Sequence, residues 1–186
     1  MRNASYRHRP TGLLILLNVT LLWGCGGGDS GSSGEGESSA GMVDIDPCSL
    51  ITSAEAAGAL EVATAEADRP AEANNEVRSP SYSGGEDTVV RLRTCRYSGS
   101  RGQALAVLTV MARQSSIPSE ARTGFDGLRT AYAGTVTDVP GLGDQAFWID
   151  GSGLHVLRGS VQLSISGDVD VAAARELAAT ALERLE

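Results

Sequence analysis

The sequence predicts an α+β domain: an antiparallel sheet, made of a hairpin and a meander, packed with two to three helices. Three observations carry this. The closing stretch VDVAAARELAATALERL repeats apolar residues at helical spacing. Between residues 89 and 167, short β-branched or alternating runs are parted by Gly- and Pro-bearing turn signals, which link neighbouring strands as hairpins. Aromatic residues make up only 4% of the chain, so the core rests on Val, Leu, Ile and Ala. A length of 186 residues suits one such domain.

The amino terminus reads as an address. MRNASYRHRP is a basic n-region and TGLLILLNVTLLWG an apolar h-region, interrupted by Asn18. That run is shorter than the roughly 20 apolar residues a transmembrane helix needs, so residues 1–24 are expected to be a secretory signal. Leu22-Trp23-Gly24-Cys25 resembles a bacterial lipobox, with Leu three places before the cysteine and a small residue just before it. Trp23 departs from that pattern, whose slot usually holds a small residue. The resemblance implies a diacylglyceryl group on the Cys25 sulfur, with acyl chains such as palmitate, and cleavage in front of it. More than one buried chain makes a stable anchor, at about 0.8 kcal/mol per methylene.

Residues 25–43 then form the lipidated cysteine and a tether. GGGDSGSSGEGESSAG is too poor in apolar residues to fold, and such a coil spans roughly 20–25 Å. No Asp follows the cysteine directly. The expected location is the outer face of a plasma membrane, or an outer membrane in a two-membraned cell. The folded domain is expected over 44–186.

With Cys25 assigned, Cys48 and Cys95 remain. An even pair in an exported domain reads as one disulfide, against the alternative of two buried free thiols. A bridge would close a loop of about 48 residues, worth about 4 kcal/mol by the chain-entropy argument. Two thiols and one mature histidine do not fill a zinc site, so no metal is expected.

Each element follows in order. In DPCSLITSAEAAGAL, Thr52 and Glu55 have capping-box spacing and open a helix, with Leu50 or Ile51 as a staple. Residues 62–87 read as a loop with a short strand. VVRLRTCRYS and QALAVLTVMA form a hairpin joined by SGSRG; Val90, Leu92 and Thr94 share one face, and Val89, Arg91, Arg93, Cys95 and Tyr97 the other. IPSEARTGFDGLRTAYAG places Ala121, Phe125, Leu128 and Ala131 or Tyr132 at helical spacing, weakened by Gly124 and Gly127. Residues 135–167 form a four-strand meander with turns at Pro140-Gly141, Asp150 to Gly153, and Arg158 to Ser160. The last helix, capped by Asp168 or Asp170, carries Val171, Ala174, Ala178, Ala181 and Leu185 on one stripe beside Leu177 and Leu182.

The words DPCSLIT, CRY and VPGLGDQAFW, with the closing ALERL helix, resemble an uncharacterised family of actinobacterial-type cell-envelope lipoproteins. Its domains begin DPCxLLT and carry a CRW-like second cysteine; here Ile51 and Tyr97 stand at the Leu and Trp positions. The resemblance covers most of residues 44–186. It implies a Cys48–Cys95 bridge and a fold similar in shape to the PsbP-like α/β sandwich, and it transfers no catalytic residue.

Composition excludes several chemistries. All 15 basic residues are arginines, which removes P-loop, Schiff-base and catalytic lysines. Loss of Arg2, Arg7 and Arg9 with the signal takes the net charge from -8 to -11, and such a surface repels phosphate backbones, so nucleic acid is not an expected partner. Gly141-Leu142-Gly143-Asp144 lacks the strand before and helix after that a dinucleotide fingerprint needs, and reads as a turn. His155, the only mature histidine, reads as a half-exposed strand residue without the G-x-S-x-G context of a nucleophile elbow. Tyr97, Phe147 and Trp148 are candidate ligand-cleft residues, and Arg91 and Arg93 could grip an anion there.

The expectation is a non-enzymatic, lipid-anchored envelope protein without a cofactor. Its domain would bind an envelope protein, a polymer or a small ligand. The alternative is a carrier or sensor accessory that holds a small apolar ligand in a sheet/helix cleft near Trp148.

Overall fold

Among the described residues, the first helical turn forms where the sequence offers an acid followed by a proline. The computed structural model describes residues 42–81, 84, 85 and 87–185, all within one compact unit. The expected signal, Cys25 and the tether up to Gly41 lie outside the described residues. Asp46 accepts a hydrogen bond from Cys48 N at 3.0 Å and Pro47 occupies the first turn of α1 (Pro47–Leu50). This single turn adds to the expected helix, which follows as α2 (Ser53–Leu60). Its capping box is complete: Glu55 N donates to Thr52 Oγ1 at 3.2 Å and Thr52 N to Glu55 Oε2 at 2.8 Å. Between the two helices Ile51 is extended and fully buried.

Residues 62–87 hold two short strands, β1 (Glu66–Asp68) and β2 (Asn75–Ser79), with a 3-10 turn over Ala71–Ala73. Their residues are almost all exposed, so pairing with the next strand, and no apolar face of their own, makes them strands. That strand is β3 (Thr88–Arg101), which meets β2 along residues 88–92 and β1 along 96–98. Through residues 90–101 it pairs with the whole of β4 (Ala104–Ser115). SGSRG is therefore mostly strand and not the turn between strands: Ser98 to Arg101 continue the ladder, and the reversal occurs at Gly102, whose φ of 65° suits glycine.

The meander is β5 (Val136–Asp138), β6 (Gln145–Ile149), β7 (Gly153–Arg158) and β8 (Val161–Gly167). Because β8 pairs with β4, hairpin and meander fuse into one antiparallel sheet. From one edge its order is β1 and β2, then β3, β4, β8, β7, β6 and β5.

Helices cover both faces. On one lie α1, α2 and α4 (Val171–Glu183), and the main core forms there among Ile51, Leu60, Tyr97, Leu108, Ile165 and Leu177. Asp170 caps α4 through Ala173 N at 2.8 Å. The buried stripe is Ala174, Leu177, Ala178, Ala181 and Leu182; it starts one turn later than expected, leaving Val171 43% exposed. On the other face α3 (Pro118–Ala131) sets Ala121 and Phe125 against Phe147, Ile149 and Leu157.

Candidate functional site

The two cysteines come together as a disulfide, with Cα atoms 5.1 Å apart. The bridge ties α1 to the middle of β3, and β3 places Tyr97 two residues on, beneath the α1–α2 break. The Tyr97 hydroxyl donates to the Ile51 carbonyl. Burial pushes this phenol up to about 12.

Upstream of the bridge, residues 43–46 form a strap without regular secondary structure that lies against β3 side chains. Asp44 lies 3.4 Å from Arg93 and 4.0 Å from Arg91, and Arg91 also pairs with Glu76 at 2.9 Å. Arg69 meets Asp46 at 2.6 Å, and its hydrogen bond, against the opposing effect of burial, holds the Asp46 carboxyl below the usual carboxylate range. Arg91 and Arg93 thus grip the protein's own strap.

The expected ligand-cleft residues do not line one cleft. Tyr97 faces the α1/α2/α4 layer, whereas Phe147 faces α3, with its ring centroid 4.6 Å from that of Phe125. Trp148, next to Phe147 in the strand, points the opposite way by the pleat, and its indole N–H donates to Asp150 Oδ1 at 3.0 Å.

His155 is buried, not half-exposed, because α3 closes over its face of the sheet; it retains 6% exposure. Its Nδ1 lies 2.9 Å from Ser164 Oγ, its Nε2 3.3 Å from Ser152 Oγ, and its ring packs near Phe147. Burial lowers its pKa to about 4, so the imidazole is neutral at physiological pH. Gly141 to Asp144 form a turn. Asp144 Oδ2 accepts from Gly159 N at 2.7 Å, and a Cβ on Gly143 would lie 2.4 Å from the Leu157 carbonyl. Among the described residues no three His, Cys, Asp or Glu side chains form a metal-holding group.

A cleft of about 420 Å³ opens elsewhere, between the strap, the β7–β8 turn and the end of α4. Its floor is the sheet, where Gln114 on β4 sits opposite Val161 on β8. Gln114 is 7% exposed, and its Oε1 is buried with no hydrogen-bond partner. An unmet buried acceptor costs about 1–3 kcal/mol. A sequence signal exists: Gln114 falls in the inward phase of β4, after Ala106, Leu108, Val110 and Ala112, which are all buried. A second groove, of about 540 Å³ between α2 and α4, is lined by Glu55, Glu61, Asp168, Asp170 and Glu176, three of which already have work. Glu55 pairs with Arg184, Asp168 accepts from Val107 N, and Asp170 caps α4.

Comparison of the chain with protein-family models, with curated proteins and with solved structures finds no match.

Proposed function

We propose that this chain is a lipid-anchored cell-envelope protein, held to the outer side of a bacterial membrane through Cys25, whose domain binds a partner without transforming it. The observation that carries the reading is the Cys48–Cys95 disulfide. A stable bridge belongs to an oxidising compartment, which fits a chain that opens with a signal-like segment and a lipobox-like Leu22 to Cys25. The resemblance to envelope lipoproteins of the DPCxLLT type points the same way. A binding role is favoured over catalysis by the position of His155, sealed between two serines under α3 and neutral at physiological pH. The partner is an envelope protein, a polymer or a small ligand.

Metabolic labelling with a clickable fatty acid tests the anchor. Wild type should take up label and partition with membranes, while Cys25→Ala should lose both. Equal labelling of the two proteins would overturn the reading.

A further inference from the structure

The cleft beside the strap deepens that reading and rests on it. We propose that this cleft is a binding site for a small neutral molecule with a short apolar body and an N–H or O–H donor, and that Gln114 is its polar anchor. The volume, about 420 Å³, suits a small ligand. Its apolar surface comes from Ile45 and Leu50 on one side and Val161 and Leu185 on the others.

The charges on the lining decide the ligand's charge. Arg184 spends its guanidinium on the Leu50 carbonyl and both Glu55 oxygens. Arg158 donates to the Leu182 carbonyl at 2.6 Å. Asp46 is held by Arg69, and Asp44 by Arg93 and Arg91. Arg184, Asp46 and Asp44 each meet an opposite charge inside the protein and Arg158 is bonded to a backbone carbonyl, so an ionic ligand would lose its hydration and find these groups already engaged. Gln114, which lines the cleft, has a buried carboxamide oxygen that no donor meets. Rotation about the broad terminal torsion of glutamine exchanges Oε1 and Nε2 with little torsional strain, and the oxygen gives up no hydrogen bond in turning. The amide can therefore turn its oxygen to an occupant without moving the strand.

The position adds a consequence. One wall of the cleft is residues 43–46, the segment through which the domain continues towards the proposed anchor. An occupant would pack between this strap and the sheet.

Three probes with one apolar body test the proposal: 4-methylpentanamide, methyl 4-methylpentanoate and the 4-methylpentanoate anion. They are titrated into the full chain in lipid nanodiscs, with Ile, Leu and Val methyls labelled and free probe concentration measured. The amide should shift the methyls of Ile45, Leu50, Val161 and Leu185 saturably. It should bind about five- to tenfold more tightly than the ester, the worth of one buried neutral hydrogen bond, and the anion should bind most weakly. Gln114→Leu should bring amide and ester together. Leu185→Trp, outside β4, should fill the cleft and abolish binding while leaving the other core methyls unmoved, which covers the case of Gln114→Leu failing to fold. Absence of saturable shifts, equal binding of amide and ester to wild type, or discrimination that survives Gln114→Leu would overturn the site. Fatty-acid labelling at Cys25 is indifferent to all three probes, so the anchor reading and the cleft fail separately.

Discussion

Arg184 and Glu55, 129 residues apart in sequence, meet through two contacts, Nη1 to Oε2 at 2.8 Å and Nη2 to Oε1 at 2.7 Å. The same Glu55 carboxylate accepts from Thr52 N and Thr52 Oγ1, each at 2.8 Å. One side chain thus completes the cap of α2 and pins the end of α4 to it. Arg184 is the largest cause, burial opposes, and the Thr52 bonds assist; together they lower the Glu55 pKa from 4.5 to about 2.

A depressed carboxylate contributes stability above its unfolded pKa and loses it as pH falls through the folded one. Wild type should therefore shed this contribution between about pH 4.5 and 2. In Arg184→Met the carboxyl moves back towards its ordinary value and the apolar stem is kept. Acid unfolding followed by circular dichroism should begin at higher pH in the variant. An unchanged acid midpoint would show that the pair does not hold the two helices together.

His155 governs a different pH window. Its folded pKa lies near 4 and its unfolded value near 6.5, so the unfolded chain binds the proton first. Stability should fall as pH drops from about 6.5 to 4, by on the order of 2–3 kcal/mol. His155→Gln, which keeps a polar group for Ser164 and Ser152, should flatten the urea midpoint across this window. A wild-type midpoint that stays level from pH 7 to 4 would contradict the buried, neutral ring.

Much of the fold was legible because local signals agreed with tertiary packing. Thr52 and Glu55 stand at capping-box spacing and form the box; the alternation of residues 89–97 gives the faces that the sheet uses. β1 and β2 were not legible as a pair of strands, since their polar residues gain strand geometry only by bonding to the edge of β3. The one-turn α1 rests on Asp46 and Pro47, a cap that a reading centred on Thr52 passes over. The aromatic groove failed in a partly foreseeable way. Phe147 and Trp148 are neighbours in one strand and cannot share a face. That Tyr97 lies opposite Phe147 across the sheet depended on the β4–β8 register, which no local pattern encodes. Gln114 carried a faint signal, a polar side chain in an apolar phase. Its missing partner is a property of the assembled neighbours alone.

Tyr97→Phe isolates one buried hydrogen bond. The hydroxyl serves the Ile51 carbonyl, at the break between α1 and α2, and both residues are fully buried. Removing it leaves that carbonyl unmet and should cost about 1–3 kcal/mol in urea unfolding. Amide exchange should also quicken in α1 and α2 more than in β7 and β8, because the bond joins the helical break to β3. A uniform change across the domain would argue against this local role.

The disulfide should be the largest single stabiliser that can be removed without touching the main sheet ladder. It spans a sequence separation of 47, for which loop closure in the unfolded chain is worth about 4 kcal/mol. Cys95 is fully buried beside Tyr97, so the paired substitution Cys48→Ala, Cys95→Ala also removes packed sulfur. Its cost in urea unfolding should lie in the range of about 2–5 kcal/mol. The freed segment matters more than the total. Once α1 is no longer fastened to β3, the strap and α1 are held by the Tyr97 bond, the Arg184 bond to the Leu50 carbonyl, the Asp44 and Asp46 ion pairs and the packing of Ile45, Pro47, Leu50 and Ile51. Exposed ion pairs contribute little, so protease cleavage between residues 42 and 52 should appear in the double variant before the sheet unfolds. Cleavage that tracks global unfolding instead would show that the bridge stabilises the domain as a whole and does not fasten the strap in particular.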